Sequence, residues 1–332
     1  MIILPSPSLL QAHTMKKRWA FLAILAALAV GADSSSMRHP RLALIAFLLP
    51  VAPAERAFAQ LNTQSHVSVA REGYRLSKAE AEALESLLNA NPDDLPTRTR
   101  LLGFYYRGSA RIYGADATIA ARRRHILWLV EHHPGSEIAA LAEVTIDATG
   151  HSLADRDGYD QLSALWKEQV RRHERDVAVL SHAAKFFQLS NKEQAASYLK
   201  QAQQLDPGSR EWPARIGYVY ALSILGVDMM NQNGLPTSHN SDEAKGAFAI
   251  TAADELNRST DAAVVGVAGR ILGQYGLMMT GMFRGTGKFT VDYVPLAEAL
   301  LTKAQQLEPA NVQWTTDLDQ FRKLRSESSR PK

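Results

Sequence analysis

Apolar and polar positions alternate along the chain from about residue 77 in two kinds of helical segment. In the first kind, a large apolar residue is followed eight positions later by a proline. The pairs are Leu84 with Pro92, Ile126 with Pro134, Leu199 with Pro207, and Leu301 with Pro309. Proline lacks the amide hydrogen that a helix needs and clashes with the preceding turn, so each proline indicates a helix that has just ended.

The second kind of segment carries a small residue followed three positions later by a larger one. The pairs are Gly103 with Tyr106, Ala183 with Phe186, Gly217 with Tyr220, and Gly269 with Leu272. Residues three apart share one face of a helix, so the small residue lets a neighbouring helix approach while the larger one fills the space beside it. The two kinds together predict helices near 77–90, 97–107, 116–132, 136–147, 157–173, 176–188, 191–205, 210–227, 242–257, 261–279, 294–307 and 311–326.

An internal repeat relates residues 199–212 to residues 301–314. Seven of these fourteen positions are identical, namely Leu199 and Leu301, Ala202 and Ala304, Gln203 and Gln305, Gln204 and Gln306, Leu205 and Leu307, Pro207 and Pro309, and Trp212 and Trp314. The offset of 102 residues is three times 34, which is the length of a common helix-pair repeat.

Residues 176–209 resemble a tetratricopeptide repeat, which has small, aromatic, alanine and proline positions at set spacings. The matching residues are Ala183, Phe186, Ala195, Leu199, Ala202 and Pro207, whereas His182 departs from the pattern. Partial matches occur at Gly103 and Tyr106, at Gly217 and Tyr220, and at Ala297, Leu301, Ala304 and Pro309. The resemblance implies an all-α superhelix of antiparallel helix pairs over residues 77–326, in which these residues pack the repeats together.

Residues 1–59 are predicted to be a targeting region. Basic residues precede a short apolar run twice, before residues 19–30 and before residues 42–49. Each run is too short to span a bilayer as a helix, and the second is followed by Ala57-Phe58-Ala59, the small-x-small pattern of a cleavage site.

The simplest interpretation is a signal peptide that starts at Met37 and is cleaved after Ala59, so that the mature protein is periplasmic or secreted. Met1 and Met15 remain alternative starts, and an uncleaved anchor over residues 19–31 remains the alternative to cleavage. Residues 60–76 are predicted to be a flexible linker and residues 327–332 a tail.

Charge and composition exclude several classes of function. The formal net charge is +3, but six of the 37 basic and two of the 34 acidic residues lie within 1–59, which leaves 31 basic and 32 acidic residues in the remainder. A nearly neutral body does not predict a nucleic-acid partner. The chain has no cysteine, which excludes disulfides, thiolate metal sites and cysteine nucleophiles.

Two segments partly match loops that bind ligands. Residues 284–288 have the composition of a phosphate-binding loop, but Met282 and Phe289 replace the glycine and the hydroxyl residue that such a loop requires. Residues 155–160 have the acids of a calcium loop, but Ala164 stands where the loop needs its final glutamate. The favoured interpretation of the second segment is a turn whose acid stabilises the start of a helix.

The pair His132 and His133 could suggest a metal site, but adjacent residues on a helix point about 100° apart. The competing interpretation, which we favour, is a pair of histidines at a helix carboxyl end, where positive charge is stabilising. No metal, cofactor or catalytic residue is predicted.

The sequence therefore predicts a non-enzymatic scaffold of the cell envelope or secreted space, which binds a protein or peptide through the concave face of a helical array. Membrane contact is expected only through the N-terminal targeting region. Loops near 228–241 and 280–293 are candidates for specificity or plain linkers. The alternative is an envelope enzyme with a helical body, such as a glycan-cleaving lyase or hydrolase, but the helix pairs leave little room for a separate catalytic domain.

Overall fold

The computed structural model describes residues 65–107, 109–148, 153–230, 236–238, 246–283 and 293–328 of the 332-residue chain. The predicted signal peptide, its cleavage after Ala59 and residues 60–64 lie outside these ranges. Most of the two candidate specificity loops, the segment 284–288 and residues 329–332 also lie outside them.

The described chain is all-α apart from one short ribbon, which confirms the predicted class. The helices are α1 (65–73), α2 (Lys78–Ala90), α3 (Leu95–Arg107), α4 (Ala110–Tyr113), α5 (Ala115–His132), α6 (Arg156–Arg172), α7 (Val177–Phe187), α8 (Lys192–Leu205), α9 (Glu211–Leu225), α10 (Ala247–Arg258), α11 (Ala262–Phe283), α12 (Val294–Leu307) and α13 (Val312–Ser328). Two antiparallel strands, β1 (Val227–Met230) and β2 (Pro236–Ser238), lie between α9 and α10, where the sequence predicted only a loop.

Polar caps fix the start of several helices. Ser77 and Glu80 form a capping box at α2, in which each side chain accepts a hydrogen bond from the other residue's backbone amide. Asp176 caps α7 and Asn191 caps α8. Because these side chains satisfy amides that have no partner inside the helix, the boundaries follow from local sequence.

Two predictions about the N-terminal half are wrong. Part of the expected linker 60–76 is the helix α1, whose Ala70 is fully buried. The helix expected over 136–147 is instead two short 3-10 helices, Glu137–Ala140 and Ala142–Val144. The Arg122 guanidinium donates to the Thr145 carbonyl, so a distant side chain satisfies a backbone group that a longer helix would otherwise bond.

The helices form two rows. Row A contains α1, α3, the 3-10 segment, α7, α9, α11 and α13, and row B contains α2, α5, α6, α8, α10 and α12. Contacts between neighbours in row B are Glu85 with Arg124 (2.9 Å), Glu131 with Gln169 (3.1 Å), Glu174 with Gln201 (2.8 Å), Glu255 with Lys200 (2.8 Å), and Asn257 with Lys303 (2.6 Å).

Neighbours in row A are joined in the same sequential order. The Lys185 amine on α7 donates to the Ala140 carbonyl of the 3-10 segment, and Arg215 on α9 donates to the Ser181 carbonyl on α7 at 2.8 Å. The Arg270 guanidinium on α11 lies 3.5 Å from an Asp317 carboxylate oxygen on α13. Each element therefore packs against the elements before and after it in its row.

A hydrophobic core runs between the two rows. It extends from Ala70 in α1 to Phe321 in α13, and it includes the fully buried Trp166 of α6. The last helix, α13, contributes Trp314, Leu318 and Phe321 to this core. Within the described ranges, none of the helices has both the length and the apolar character needed to cross a membrane.

Candidate functional site

The residues predicted to pack the repeats lie mainly in the core. Those at most 2% exposed are Ala183, Ala195, Leu199, Ala202, Tyr220, Ala297, Leu301 and Ala304. Tyr106 and Phe186 are half-buried, whereas Pro207 and Pro309 are exposed just after the ends of α8 and α12. Most of the small and large packing residues are therefore buried, and the two prolines lie in the turns that follow the helices.

The predicted glycine contacts are among the closest approaches between helices in row A. A Cβ atom built on Gly217 would lie 2.2 Å from the Val264 carbonyl oxygen on α11. A Cβ atom built on Gly103 would lie 1.8 Å from the Ala70 carbonyl oxygen on α1. Both positions therefore require glycine, and the neighbour of Gly103 is α1, which lies within the predicted linker 60–76.

The internal repeat has matching geometry at its two copies. The Trp212 indole donates to Asp206 at 3.2 Å, and the Trp314 indole donates to Glu308 at 3.1 Å. The two acidic residues have nearly identical backbone angles, with φ −131° and ψ 71° at Asp206 and φ −130° and ψ 71° at Glu308. We call this arrangement the tryptophan clasp. It closes the turn from α8 to α9 and the turn from α12 to α13.

A polar surface lies on the side of row A that row B does not cover. It contains Ser181 and Lys185 on α7, and Arg215 and Tyr218 on α9. We call this set the row A face. The Arg215 guanidinium donates to the Ser181 hydroxyl and carbonyl, which fixes the two helices side by side. Desolvation, followed by the positive charge of Arg215, lowers the pKa of the Lys185 amine.

The row A face has carboxylates at its edge. Glu211 lies one turn from Arg215 and approaches it at 3.3 Å, while Glu137 acts on Lys185 through its charge. Burial raises the pKa of the partly buried Tyr218 phenol, so it stays a neutral donor at physiological pH. The face therefore offers mixed hydrogen-bonding groups and aromatic surface.

Further along row A, tyrosines and arginines meet at the 3-10 segment. The Tyr74 hydroxyl donates to Glu143, and the Tyr74 and Tyr106 rings lie 6.4 Å apart. The Arg122 guanidinium lies 5.3 Å from the Tyr106 ring centroid, within the range of a cation–π contact. Because Arg122 and Glu143 are each only 4% exposed, these two groups hold the segment in place and are poorly placed to meet a ligand.

A buried polar network joins three helices at the start of the array. Arg98 on α3 can only donate, so the His125 Nδ1 atom accepts its hydrogen bond at 3.2 Å. The Nε2 hydrogen of His125 then donates to Glu85 on α2 at 2.8 Å. Tyr105 donates to the same Glu85 carboxylate at 2.6 Å. The bonds therefore fit a neutral imidazole with a single tautomer.

The pKa shifts agree with that protonation state. Burial lowers the pKa of His125, although the Glu85 carboxylate opposes the effect. Burial raises the pKa of Glu85, but hydrogen bonds from His125 and Tyr105 and the charge of Arg124 outweigh it and lower the value to about 2. The network is thus a neutral histidine beside an ionised carboxylate, with two arginines supplying the compensating charge.

The segments that suggested ligand chemistry have structural partners. His132 stacks on the Trp128 ring at 4.5 Å, and His133 lies 3.1 Å from an Asp93 oxygen. Asp155 caps α6 by accepting from the Gly158 amide at 2.9 Å, in agreement with the helix-start interpretation. Among the residues that the structure describes, no group of three or more His, Asp or Glu side chains is arranged to hold a metal ion.

Sequence reasoning missed the row A face, although a local signal for it was present. Ser181 and Lys185 are polar residues four apart in a mainly apolar helix, and Arg215 and Tyr218 are three apart in another. Such spacing places each pair on one exposed helix face. That the two faces adjoin became visible only through the Arg215 contact with Ser181. No protein-family model matches the chain, and no curated protein matches it.

Proposed function

We propose that this protein is an exported, non-enzymatic scaffold whose helix pairs form a TPR-like superhelix and whose concave side binds a protein or peptide. The concave side corresponds to the row A face. The proposal needs neither a cofactor nor a nucleic-acid partner. In this proposal only the N-terminal targeting region contacts the membrane, and it does so until the chain is cleaved after Ala59.

The side-by-side packing of α7, α9 and α11 is the observation that carries this proposal. The hydrogen bonds of Arg215 hold α9 against α7, and the contact of Gly217 with Val264 holds α9 against α11. Successive elements that pack side by side along a row build an extended surface instead of a closed cavity. Lys185 and Tyr218 on that surface provide a hydrogen-bond donor and an aromatic ring, both common in peptide recognition.

Site-specific photocrosslinking in the native cells tests the proposal. A photoreactive phenylalanine derivative replaces Tyr218 on the row A face, and a matched variant carries it at Gln204, which is exposed on α8 in row B. We expect one discrete adduct from position 218, none from position 204, and a weaker adduct when Lys185→Glu is added.

Equal labelling at the two positions, or no labelling at position 218, would contradict a binding role for the row A face. A reproducible glycan-cleaving activity of the purified mature chain, without any adduct, would favour the enzymatic alternative.

A further inference from the structure

The two rows end at different points at the C-terminal end of the described chain. Row A ends with α13, which packs on α11 through Trp314 against Gly266 and Phe321 against Gly273. Row B ends one element earlier, with α12. In row B, α10 and α12 each contact the preceding row A helix and the preceding row B helix. For example, Glu255 on α10 contacts Tyr220 on α9 and Lys200 on α8. The next position of row B, beside α12 and α13, is not filled by any element of the described ranges.

A groove of about 750 Å³ lies at that position, between α12 and α13. Its walls include Pro295, Ala299 and Gln306 on α12 and Arg322 on α13. From Pro295 to Gln306 the wall covers about three helical turns, or roughly 16 Å at a rise of 1.5 Å per residue. The groove therefore has the length of a short helix. Pro295 and Ala299 leave space for a close approach.

The charge of the groove is unbalanced. Arg322 and Arg325 both donate to the single carboxylate of Glu298, in the case of Arg322 at 2.8 Å. Lys303 donates to the carbonyl oxygens of Leu256 and Asn257, which are neutral acceptors. The wall thus holds three cationic side chains and one carboxylate. Both arginines are about half exposed, so an anionic group can reach them from solvent.

We propose that this groove, which we call the terminal groove, binds an acidic amphipathic helix of a partner protein, seated as the next member of row B. Small apolar residues of that helix contact Pro295 and Ala299. Two or more carboxylates on the same face, three or four residues apart, pair with Arg322, Arg325 and Lys303. The site is separate from the row A face, so it stands whether or not that face binds a peptide.

Two synthetic helical peptides of about 15 residues test this inference by fluorescence polarisation with the mature chain. One has alanine and leucine on its contact face with glutamates at positions i, i+4 and i+7, and the other has glutamine at those three positions. We expect the glutamate peptide to bind at least about tenfold more tightly, and we expect the difference to shrink in high salt. Equal affinity of the two peptides, or no binding of the glutamate peptide, would overturn the proposal.

Protein variants distinguish a peptide helix that binds in the groove from a peptide that is attracted non-specifically to positive charge. Arg322→Glu with Arg325→Glu should weaken the glutamate peptide about tenfold or more. The matched control is Arg171→Glu with Arg172→Glu, because these arginines also share one glutamate, Glu168, but on the surface of the single helix α6. Loss of affinity in both double variants would show non-specific attraction and refute a groove site.

Two further variants keep the test independent of folding and of the row A face. Ala299→Trp fills the exposed wall of the groove without changing charge, and it should abolish binding while the circular dichroism spectrum stays that of the wild type. Lys185→Glu should leave peptide affinity unchanged, and a loss there would contradict a separate site. Sedimentation velocity tests whether a second copy of this chain occupies the groove instead. Self-association that Arg322→Glu abolishes would assign the groove to that second copy and would overturn the proposal of a partner helix.

Discussion

Replacing Gly217 by alanine tests the closest contact between α9 and α11. The added Cβ would lie 2.2 Å from the Val264 carbonyl oxygen and 3.0 Å from the Val264 carbonyl carbon. Since that obstacle is backbone, the two helices must move apart by roughly 1 Å. Overpacking of this kind costs about 1–3 kcal/mol, and the better helix propensity of alanine returns about 0.5–1 kcal/mol. The midpoints of these two ranges leave an expected net loss of roughly 1 kcal/mol in the free energy of unfolding.

The matched control is Gly276→Ala in the neighbouring row A helix, α11. Its Cβ would meet Tyr293 Cβ at 3.4 Å and Val294 Cγ2 at 3.7 Å, which is ordinary contact. We therefore expect this variant to gain about 0.5–1 kcal/mol. Urea titrations followed by circular dichroism measure both values. If Gly217→Ala were as stable as the wild type, the proposed close packing of row A would be refuted.

Three other perturbations have outcomes that follow from the contacts described above. Ala195→Phe should cost about 1–3 kcal/mol in urea titrations, since Ala195 is fully buried, and unchanged stability would show that α8 is packed differently. Burial lowers the pKa of His125 and of His182 in the folded protein. Because the unfolded chain therefore binds more protons below its histidine pKa of about 6.5, the free energy of unfolding should fall as the pH drops from about 7.5 to 5. His125→Gln should make that decline less steep, and an unaltered pH dependence would contradict the buried network. Asp176→Ala removes only a helix cap and should lower the free energy of unfolding by about 1 kcal/mol. Asp155→Ala should lower it by more, because Asp155 caps α6 and also pairs with Arg123. Equal losses of stability in thermal melts would count against the pairing of Asp155 with Arg123.

Local signals explain why the sequence predicted most of the helices. Proline after Leu205 and after Leu307 ends α8 and α12 at the residues expected. Small residues such as Ala202 and Ala304 mark the buried face in both copies of the internal repeat. These features act within one or two helical turns, and they can be recognised without knowledge of the partner element.

The errors arose where distant residues decide the local structure. α1 packs against Gly103, about 30 residues further on, so nothing within residues 65–73 alone distinguishes it from a linker. The 3-10 segment forms where Arg122 binds the Thr145 carbonyl and Lys185 binds the Ala140 carbonyl. The row A face likewise depends on contacts between α7 and α9, which are 34 positions apart at Ser181 and Arg215.

The tryptophan clasp has a consequence for how such a chain can change its length. Each indole bonds an acid only six residues away, so part of the geometry of each turn is local, although Glu308 also accepts a hydrogen bond from Arg210. A segment bounded by two such turns can be exchanged, duplicated or removed while its ends still meet the adjoining helices at the same angle. Replacing residues 199–212 by residues 301–314 should therefore give a folded chimera. Recombination at the tryptophan clasp would then be a way to lengthen the protein by whole helix pairs.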